Sequence, residues 1–162
     1  MAFILNGTTV ESFAEYNDVL SADQRLFEAN EGLTSDVVET HLYRSTERIL
    51  TLIRATDWWL GLTNSQAVSE SPVVDADNII GRENDFTDLC VYHAFFTYLL
   101  PSIADFGKED NAERAKIAFY QTKFEQLFGE LIIAGDWYDL NADGIVSASE
   151  KVAGHIALKR IR

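Results

Sequence analysis

Apolar residues recur at helical spacing through long stretches of this chain, and this periodicity limits the fold more than any other feature. From Ser35 onward they return every three or four residues, while charged residues occupy the other faces. This pattern predicts an amphipathic helix that ends near Thr56. Its buried stripe is predicted to comprise Val38, Leu42, Ile49, Leu52 and Ile53.

The same spacing predicts two further core helices. The first is capped by Asp85 and stops about Pro101, with a buried face of Phe86, Leu89, Cys90, His93, Phe96 and Leu100. The second opens at Glu109 and Asp110 and stops at Gly135, a common residue after a helix end. Its buried stripe is predicted to be Ile117, Phe124, Leu127, Phe128 and Leu131.

Shorter elements are predicted before and between these helices. Residues 2–5 read as a strand or an extended arm before a turn at Asn6-Gly7. A helix from Ser12 to Leu20 is followed by a second one toward Ala29, started by the capping-box spacing of residues 21–24. Residues 60–84 read as a long excursion, with a hairpin through Val73-Val74 and Ile79-Ile80 as one option.

Together these elements predict an all-α fold, a helical bundle with the excursion at about 60–84. With 162 residues, 47% of them hydrophobic, the chain is long enough to build one core. We expect a single domain with an N-terminal arm and helical hairpin (1–33), a core bundle (34–138), an acidic loop (139–150) and a basic C-terminal arm with a short helix (151–162).

Charge and composition narrow the classes of function. The net charge of −13 would repel a phosphate backbone, so specific nucleic-acid binding is not expected. No apolar run approaches the roughly 20 residues of a membrane span, and no signal peptide is evident, which predicts synthesis in a cytoplasm. The single cysteine, Cys90, cannot form an internal disulfide.

The basic residues are unevenly distributed. Residues 1–150 carry 26 acids and 9 bases, a net charge of −17, and no acid follows Glu150. The tail is therefore predicted to dock on a partner, or its cations simply favour the C-terminal end of a last helix. The candidate docking residues are Lys151, Lys159, Arg160 and Arg162.

A short sequence repeat occurs at two predicted helix ends. Residues 52–59 (LIRATDWW) and 131–138 (LIIAGDWY) share Leu, Ile, Ala, Asp and Trp at matching positions. Either the fold contains two related helix ends, or similar helix termination produced the match.

The most explicit chemical motif is an EF-hand-type loop from Asp139 to Glu150. Oxygen-bearing side chains stand at loop positions 1, 3, 5, 9 and 12, with glycine at position 6, and alternate positions of such a curled loop point inward. Calcium is a hard cation that takes 6 to 8 oxygens, so the loop predicts a structural Ca²⁺ site. Its ligands would be Asp139, Asn141, Asp143, the backbone carbonyl of Ile145, Ser147 and Glu150.

The likeness to an EF-hand is confined to this loop. Gly135 interrupts the incoming helix, Lys151 stands where an apolar residue is usual, and no second acidic loop exists to form a pair. A sensor that opens a groove is therefore not expected. The alternative is that Asp, Asn and Gly form Asx turns and cap the last helix without metal.

No constellation for catalysis is evident, and we expect no enzymatic activity. Cys90 and His93 lie three residues apart on an apolar stripe, which favours core packing over a nucleophile–base pair. Asp75, Asp77 and Asp85 belong to an acidic segment that is typical of solvated or capping carboxylates.

The order of these elements resembles the head–tail adaptor (head-completion or connector) proteins of tailed bacteriophages. The likeness spans about Thr34 to Glu150. It rests on VVETHLYRSTERIL at 37–50, Asp57-Trp58-Trp59, the long excursion, and then residues 88–100 and 113–138.

This resemblance implies a structural protein of the virion neck. It would form a ring, typically of twelve copies, with its C-terminal segment on the portal protein and its long loop against neighbours or other neck and tail proteins. DNA would pass through the ring without specific binding. The competing interpretation is a calcium-stabilised helical interaction module with a single EF-hand-like site, monomeric or dimeric in solution.

Overall fold

The computed structural model describes residues 3–65, 72–105, 107 and 112–151, and most of them are helical. Among these residues, no helix combines the length and apolar character that crossing a membrane requires. The expectation of a mainly helical fold is confirmed. The elements are β1 (Ile4–Asn6), β2 (Thr9–Ser12), α1 (Tyr16–Ala22), α2 (Gln24–Ala29), α3 (Ser35–Arg54), α4 (Asp57–Ser65), α5 (Glu83–Ala94), α6 (Leu100–Ile103) and α7 (Ala112–Ala134).

The N-terminus corrects the all-α prediction, because β1 and β2 form an antiparallel hairpin. Its turn lies at Gly7 and Thr8, one residue beyond the predicted position, and Gly7 has φ +66°. Ser12 ends β2 instead of opening a helix, which begins only at Tyr16. The reason is tertiary, since the next backbone amide, that of Phe13, donates to the buried Thr46 hydroxyl of α3 at 3.1 Å.

α3 runs from Ser35 to Arg54, as predicted. Leu52 of the predicted stripe is half-buried. The other four stripe residues are buried: Val38, Leu42, Ile49 and Ile53. The stripe faces α5. Burying each of these side chains contributes about 1.5–3 kcal/mol to the stability of the core.

The predicted excursion at 60–84 is wrong over its first part, because α4 runs from Asp57 to Ser65. The suggested Val73–Ile80 hairpin is also wrong. Ala76–Asn78 form a 3₁₀ turn capped by Asp75, and Ile79 forms an isolated antiparallel bridge with Tyr138. The strand partner of Ile79 therefore lies far along the chain instead of six residues before it.

α5 begins at Glu83, and its N-cap is Arg82, three residues before the predicted cap, Asp85. The helix also continues beyond Pro101, its predicted stop, to Ile103. A π-helical turn at Phe95–Leu99 precedes the proline, and the Leu100 amide donates to the Phe95 carbonyl. Proline lacks an N–H and crowds the preceding turn, and the wider turn accommodates it without ending the helix.

α7 packs on α5 and α6 and ends at Ala134, followed by Gly135 with φ +54°, as predicted. Of its predicted stripe, Phe124 and Leu131 are buried, whereas three residues are only half-buried: Ile117, Leu127 and Phe128. The predicted start at Glu109 and Asp110 lies outside the described residues. The predicted short helix within 151–162 also lies outside them, apart from Lys151.

Candidate metal centre

The acidic loop starts from an aromatic cluster that joins the two copies of the sequence repeat. The rings of Trp58 and Trp137 stack with centroids 4.6 Å apart, and Trp59 meets Tyr138 edge-on at 5.1 Å. All four side chains are buried. The indole N–H of Trp137 also donates to the Leu131 carbonyl at 2.7 Å. The segment between α7 and the loop is therefore anchored in the core.

Hydrogen bonds from residues 72–82 hold the same segment, residues 136–139, on its other side. We call these contacts between residues 72–82 and 136–139 the brace. The Ile80 amide donates to the Trp137 carbonyl at 2.8 Å, and the Asp139 amide donates to the Asn78 carbonyl at 2.9 Å. The Asp75 amide donates to the Tyr138 hydroxyl at 3.1 Å. The brace thus fixes the backbone of Asp139, the first predicted calcium ligand.

An ion pair reinforces the brace. Arg82 donates from Nε to Asp136 Oδ1 at 2.7 Å and from Nη2 to Oδ2 at 3.0 Å, a bidentate geometry that favours both charged forms. The hydrogen bond from Arg82 holds the pKa of Asp136 below its usual range, and the same bond raises the pKa of Arg82. Residues 72–82 and the loop start are therefore linked by main-chain and side-chain contacts.

The first half of the loop curls around the side-chain oxygens of its own acids. Asp139 accepts from the amides of Asp143 at 3.3 Å and Gly144 at 2.6 Å. Asn141 Oδ1 accepts from the Asp143 amide at 3.0 Å, and Asp143 Oδ1 accepts from the Ile145 amide at 2.9 Å. Two residues take left-handed backbone conformations to make this curl, Ala142 at φ +57° and Gly144 at φ +87°.

Glu150 closes the loop from its far end. Its side chain is 2% exposed, and Oε1 accepts from the amides of Leu140 at 3.0 Å and Asn141 at 3.2 Å. Oε2 accepts from the amide of Ser147 at 2.8 Å and from its hydroxyl at 2.6 Å. Burial alone would raise the pKa of Glu150, but these hydrogen bonds to its charged form outweigh it and lower the pKa.

The donor set suits calcium in type and in order along the loop, because every predicted ligand offers oxygen, and the brace holds the backbone of the first of them, Asp139. In the part of the chain that is described, however, no three His, Cys, Asp or Glu side chains converge as a metal-binding group. Both Glu150 oxygens are engaged by loop donors instead. Calcium binding at Asp139, Asn141, Asp143, Ile145, Ser147 and Glu150 therefore stays a prediction, and so does its metal-free alternative.

The flanking predictions have different outcomes. Ile145 is 68% exposed, and the predicted role of its backbone carbonyl stays a prediction. Lys151, the first candidate docking residue, is exposed immediately after Glu150. The other three lie outside the described residues: Lys159, Arg160 and Arg162.

Cys90 and His93 occupy the core, as their apolar stripe predicted. Burial raises the pKa of the Cys90 thiol to about 12, and its Sγ lies 3.5 Å from the Thr46 hydroxyl. His93 Nδ1 lies 3.0 Å from the Ser45 hydroxyl, and burial lowers the pKa of this imidazole to about 4. A thiol with so high a pKa is a poor nucleophile.

The brace is the part of the site that sequence reasoning missed. Asn78, Arg82 and Asp136 carry no local motif, and all three lie more than 50 residues from their partners in the brace. The only available signal was the repeat at 52–59 and 131–138, whose aromatic residues meet in the structure.

Comparison with models of known protein families, with curated proteins and with solved structures gives no significant match.

Proposed function

We propose that this protein is a structural component of the phage neck, a head–tail adaptor that forms a ring between the portal protein and the tail. In this proposal the acidic loop is a rigid elbow that directs the basic C-terminal segment toward the portal. The observation that carries the proposal is the brace, together with the resemblance in element order described above.

The brace supports an elbow because it holds the chain on two sides of one short segment. Trp137 and Tyr138 are buried among aromatic rings, while the Ile80 amide bonds the Trp137 carbonyl and the Asn78 carbonyl bonds the Asp139 amide. Glu150 then ties the end of the loop back to Leu140 and Asn141 near its start. The position of Lys151 is thereby determined relative to α7.

The charge distribution supports passage of DNA through a ring. Residues 1–150 have a net charge of −17, so a channel wall built from this surface would repel phosphate and let DNA slide without specific contacts. The basic tail, which includes Lys159, Arg160 and Arg162, would then be directed away from the channel toward an acidic patch on the portal.

The outer face of α7 supports contact with another copy of the chain. Only three residues of this 23-residue helix are buried, and large apolar side chains stay exposed on it, with Phe119 at 54% and Ile133 at 58%. In this proposal a neighbouring copy of the chain covers these two side chains. A head-to-tail contact through this face closes into a ring if its rotation allows.

Mass photometry and negative-stain imaging of the protein, alone and with portal, test the proposal. We expect rings of about twelve copies at the portal, as the family resemblance implies, and loss of rings in Phe119→Ser/Ile133→Ser. Thr122→Ser, a conservative change on the same helix, is the matched control. A chain that stays monomeric and ignores the portal would contradict the adaptor function.

The second candidate is a calcium-stabilised helical interaction module, which the order of oxygen-bearing side chains from Asp139 to Glu150 favours. It predicts a monomer or dimer whose stability responds to calcium without any portal. Imaging and calorimetry on one preparation separate the two, because only the adaptor adds portal-dependent rings. In either case we propose that the loop binds a structural Ca²⁺. If the protein is an adaptor, we propose that it is made in the host cytoplasm and resides in the virion neck.

A further inference from the structure

A cleft of about 410 Å³ lies between α1, α5 and α7, on a part of the molecule that the calcium loop does not use. Acidic side chains from α1 and α5 line it together with aromatic side chains from α5 and α7. The residues that matter here are Asp18, Thr87, Asp88, Tyr92, Phe119 and Tyr120.

Asp18 is the unusual member of this cleft, because its side chain is buried and only partly bonded. It is 8% exposed, and its Oδ2 accepts the Glu15 amide at 2.9 Å in the N-terminal cap of α1. Its Oδ1 is buried and has no hydrogen-bond donor among the residues that the structure describes. A buried carboxylate oxygen without a donor is costly, and because Asp18 lines the cleft, a donor from the cleft that reaches this oxygen would relieve that cost.

The surroundings of Asp18 add negative potential. Partial desolvation raises the pKa of Asp88, and the charges of Asp85 and Asp18 raise it further. Burial also raises the pKa of Tyr92, with a contribution from Asp88, and raises that of Tyr120 to about 12. The charges of Asp18, Asp85 and Asp88, which contribute to these shifts, also favour a positive charge placed in the cleft.

Aromatic faces lie next to these carboxylates. The rings of Tyr92 and Tyr120 are 5.9 Å apart, and Phe119 meets Tyr120 edge-on at 5.2 Å. Two lysines of α7 are engaged nearby: Lys116 is paired with Asp23, and Lys123 lies 5.7 Å from the Phe119 ring centroid. Neither has a contact with Asp18 among the interactions of the described residues.

We propose that this cleft binds the guanidinium group of an arginine side chain presented by another protein chain. Guanidinium is planar, donates in several directions at once and stacks on aromatic faces, which suits a cleft with carboxylates and tyrosine rings. A Lys ammonium is a compact point charge and uses the aromatic faces less fully. This proposal does not depend on the adaptor function.

The test is an NMR titration of the full-length protein with N-acetyl-arginine amide, with N-acetyl-citrulline amide as the neutral probe of the same shape. We expect saturable shifts of the Tyr92 and Tyr120 ring signals with the arginine probe alone. Asp88→Asn should weaken binding about tenfold, since it removes an exposed carboxylate of the cleft that caps no helix. Asp36→Asn, in the first turn of α3, is the matched control and should change nothing.

Equal shifts with citrulline, or unchanged affinity in Asp88→Asn, would overturn the proposal. The same titration on Lys159→Ala/Arg160→Ala/Arg162→Ala identifies the occupant. Unchanged affinity in this variant supports an arginine from another protein. A several-fold gain in affinity would mean that the chain's own tail competes for the cleft, and the proposal as stated would be wrong.

Discussion

The indole ring of Trp58 stacks on that of Trp137, with centroids 4.6 Å apart and an interplanar angle of 30°. The two rings come from matching positions of the sequence repeat, and their segments end differently. Thr56 bonds the Ile53 carbonyl and the Trp59 amide and so leads from α3 into α4. Gly135, at the matching position, takes a left-handed conformation, and the chain leaves α7 for the loop.

Replacing either tryptophan by phenylalanine distinguishes their roles. Both rings are at most 2% exposed, but only Trp137 donates its N–H, to the Leu131 carbonyl at 2.7 Å; Trp58 Nε1 has no partner among the described residues. We therefore expect Trp137→Phe to lower the free energy of unfolding by about 1–2 kcal/mol more than Trp58→Phe. Urea denaturation measures the difference. Equal costs would mean that the Trp137 hydrogen bond contributes little.

The spacing of residues along the chain predicted the elements that local contacts determine. It failed where a residue far away in the sequence determines the local structure. The stripe of α3 and the stop at Gly135 were predictable from spacing and glycine chemistry. The helix predicted from Ser12 was wrong because Thr46, on α3, binds the Phe13 amide. The hairpin predicted at Val73 was wrong because Tyr138, beyond α7, pairs with Ile79.

The same distinction holds at the candidate site. The order of oxygens from Asp139 to Glu150 is visible in the sequence, and the structure brings these residues into one closed loop. The brace was not predictable, since the Arg82–Asp136 pair joins two segments that carry no motif. The contacts that hold the loop in place therefore follow from the tertiary fold alone.

The Arg82–Asp136 pair should be coupled more strongly than the Arg82–Asp85 pair. The first is bidentate, at 2.7 and 3.0 Å, whereas the second is a single contact at 3.4 Å. All three side chains are more than a third exposed, so solvent screening limits the first coupling to about 1 kcal/mol and the second to under about 0.5 kcal/mol. Double-mutant cycles with alanine measure both. A stronger coupling to Asp85 would contradict the assigned role of the brace.

Acidification should destabilise the fold through His93. Burial, and then Arg48, lower its pKa to about 4, while an unfolded histidine titrates near about 6.5. The contribution of neutral His93 to the free energy of unfolding is fully present above pH 6.5. It is lost as the pH falls toward 4, because the unfolded chain binds the proton at a higher pH than the folded chain does. The loss amounts to about 3 kcal/mol at most.

The measurement is the free energy of unfolding of the wild type and of His93→Gln between pH 7 and 4. The variant is expected to be less stable at pH 7, because it loses a packed ring. Its stability should fall less steeply with pH than that of the wild type. Parallel curves would show that His93 does not titrate as the buried environment requires.

Substitutions at two backbone positions in the loop should change the free energy of unfolding in opposite directions. Gly144 has φ +87° with no atom within 4 Å of an added Cβ, so Gly144→Ala costs about 1–2 kcal/mol through backbone strain alone. Ala142 has φ +57°, and Ala142→Gly removes that strain for a net gain of about 0.5 kcal/mol. Thermal denaturation of both variants checks the signs. Destabilisation by both would mean that Ala142 is not strained.

Calcium should bind the loop and stiffen it without being required for the helical core. A single unpaired loop predicts a Kd on the order of 10⁻⁵ to 10⁻³ M, measured by calorimetry. Glu150→Gln should abolish the heat of binding, since position 12 supplies both oxygens of a carboxylate to the ion. Glu47→Gln, an exposed position on α3, is the matched control and should bind as the wild type does.

Hydrogen exchange then separates an elbow from a global stabiliser. The amides of Leu140 and Asn141, which bond Glu150, should exchange faster after chelation, whereas buried amides of α3 and α5 should keep their protection. On the adaptor proposal, chelation also weakens binding to the portal, because the basic tail loses its fixed direction. Faster exchange throughout the core would show that calcium holds the whole domain together. No change at Leu140 and Asn141 would show that the hydrogen bonds to Glu150 suffice without metal.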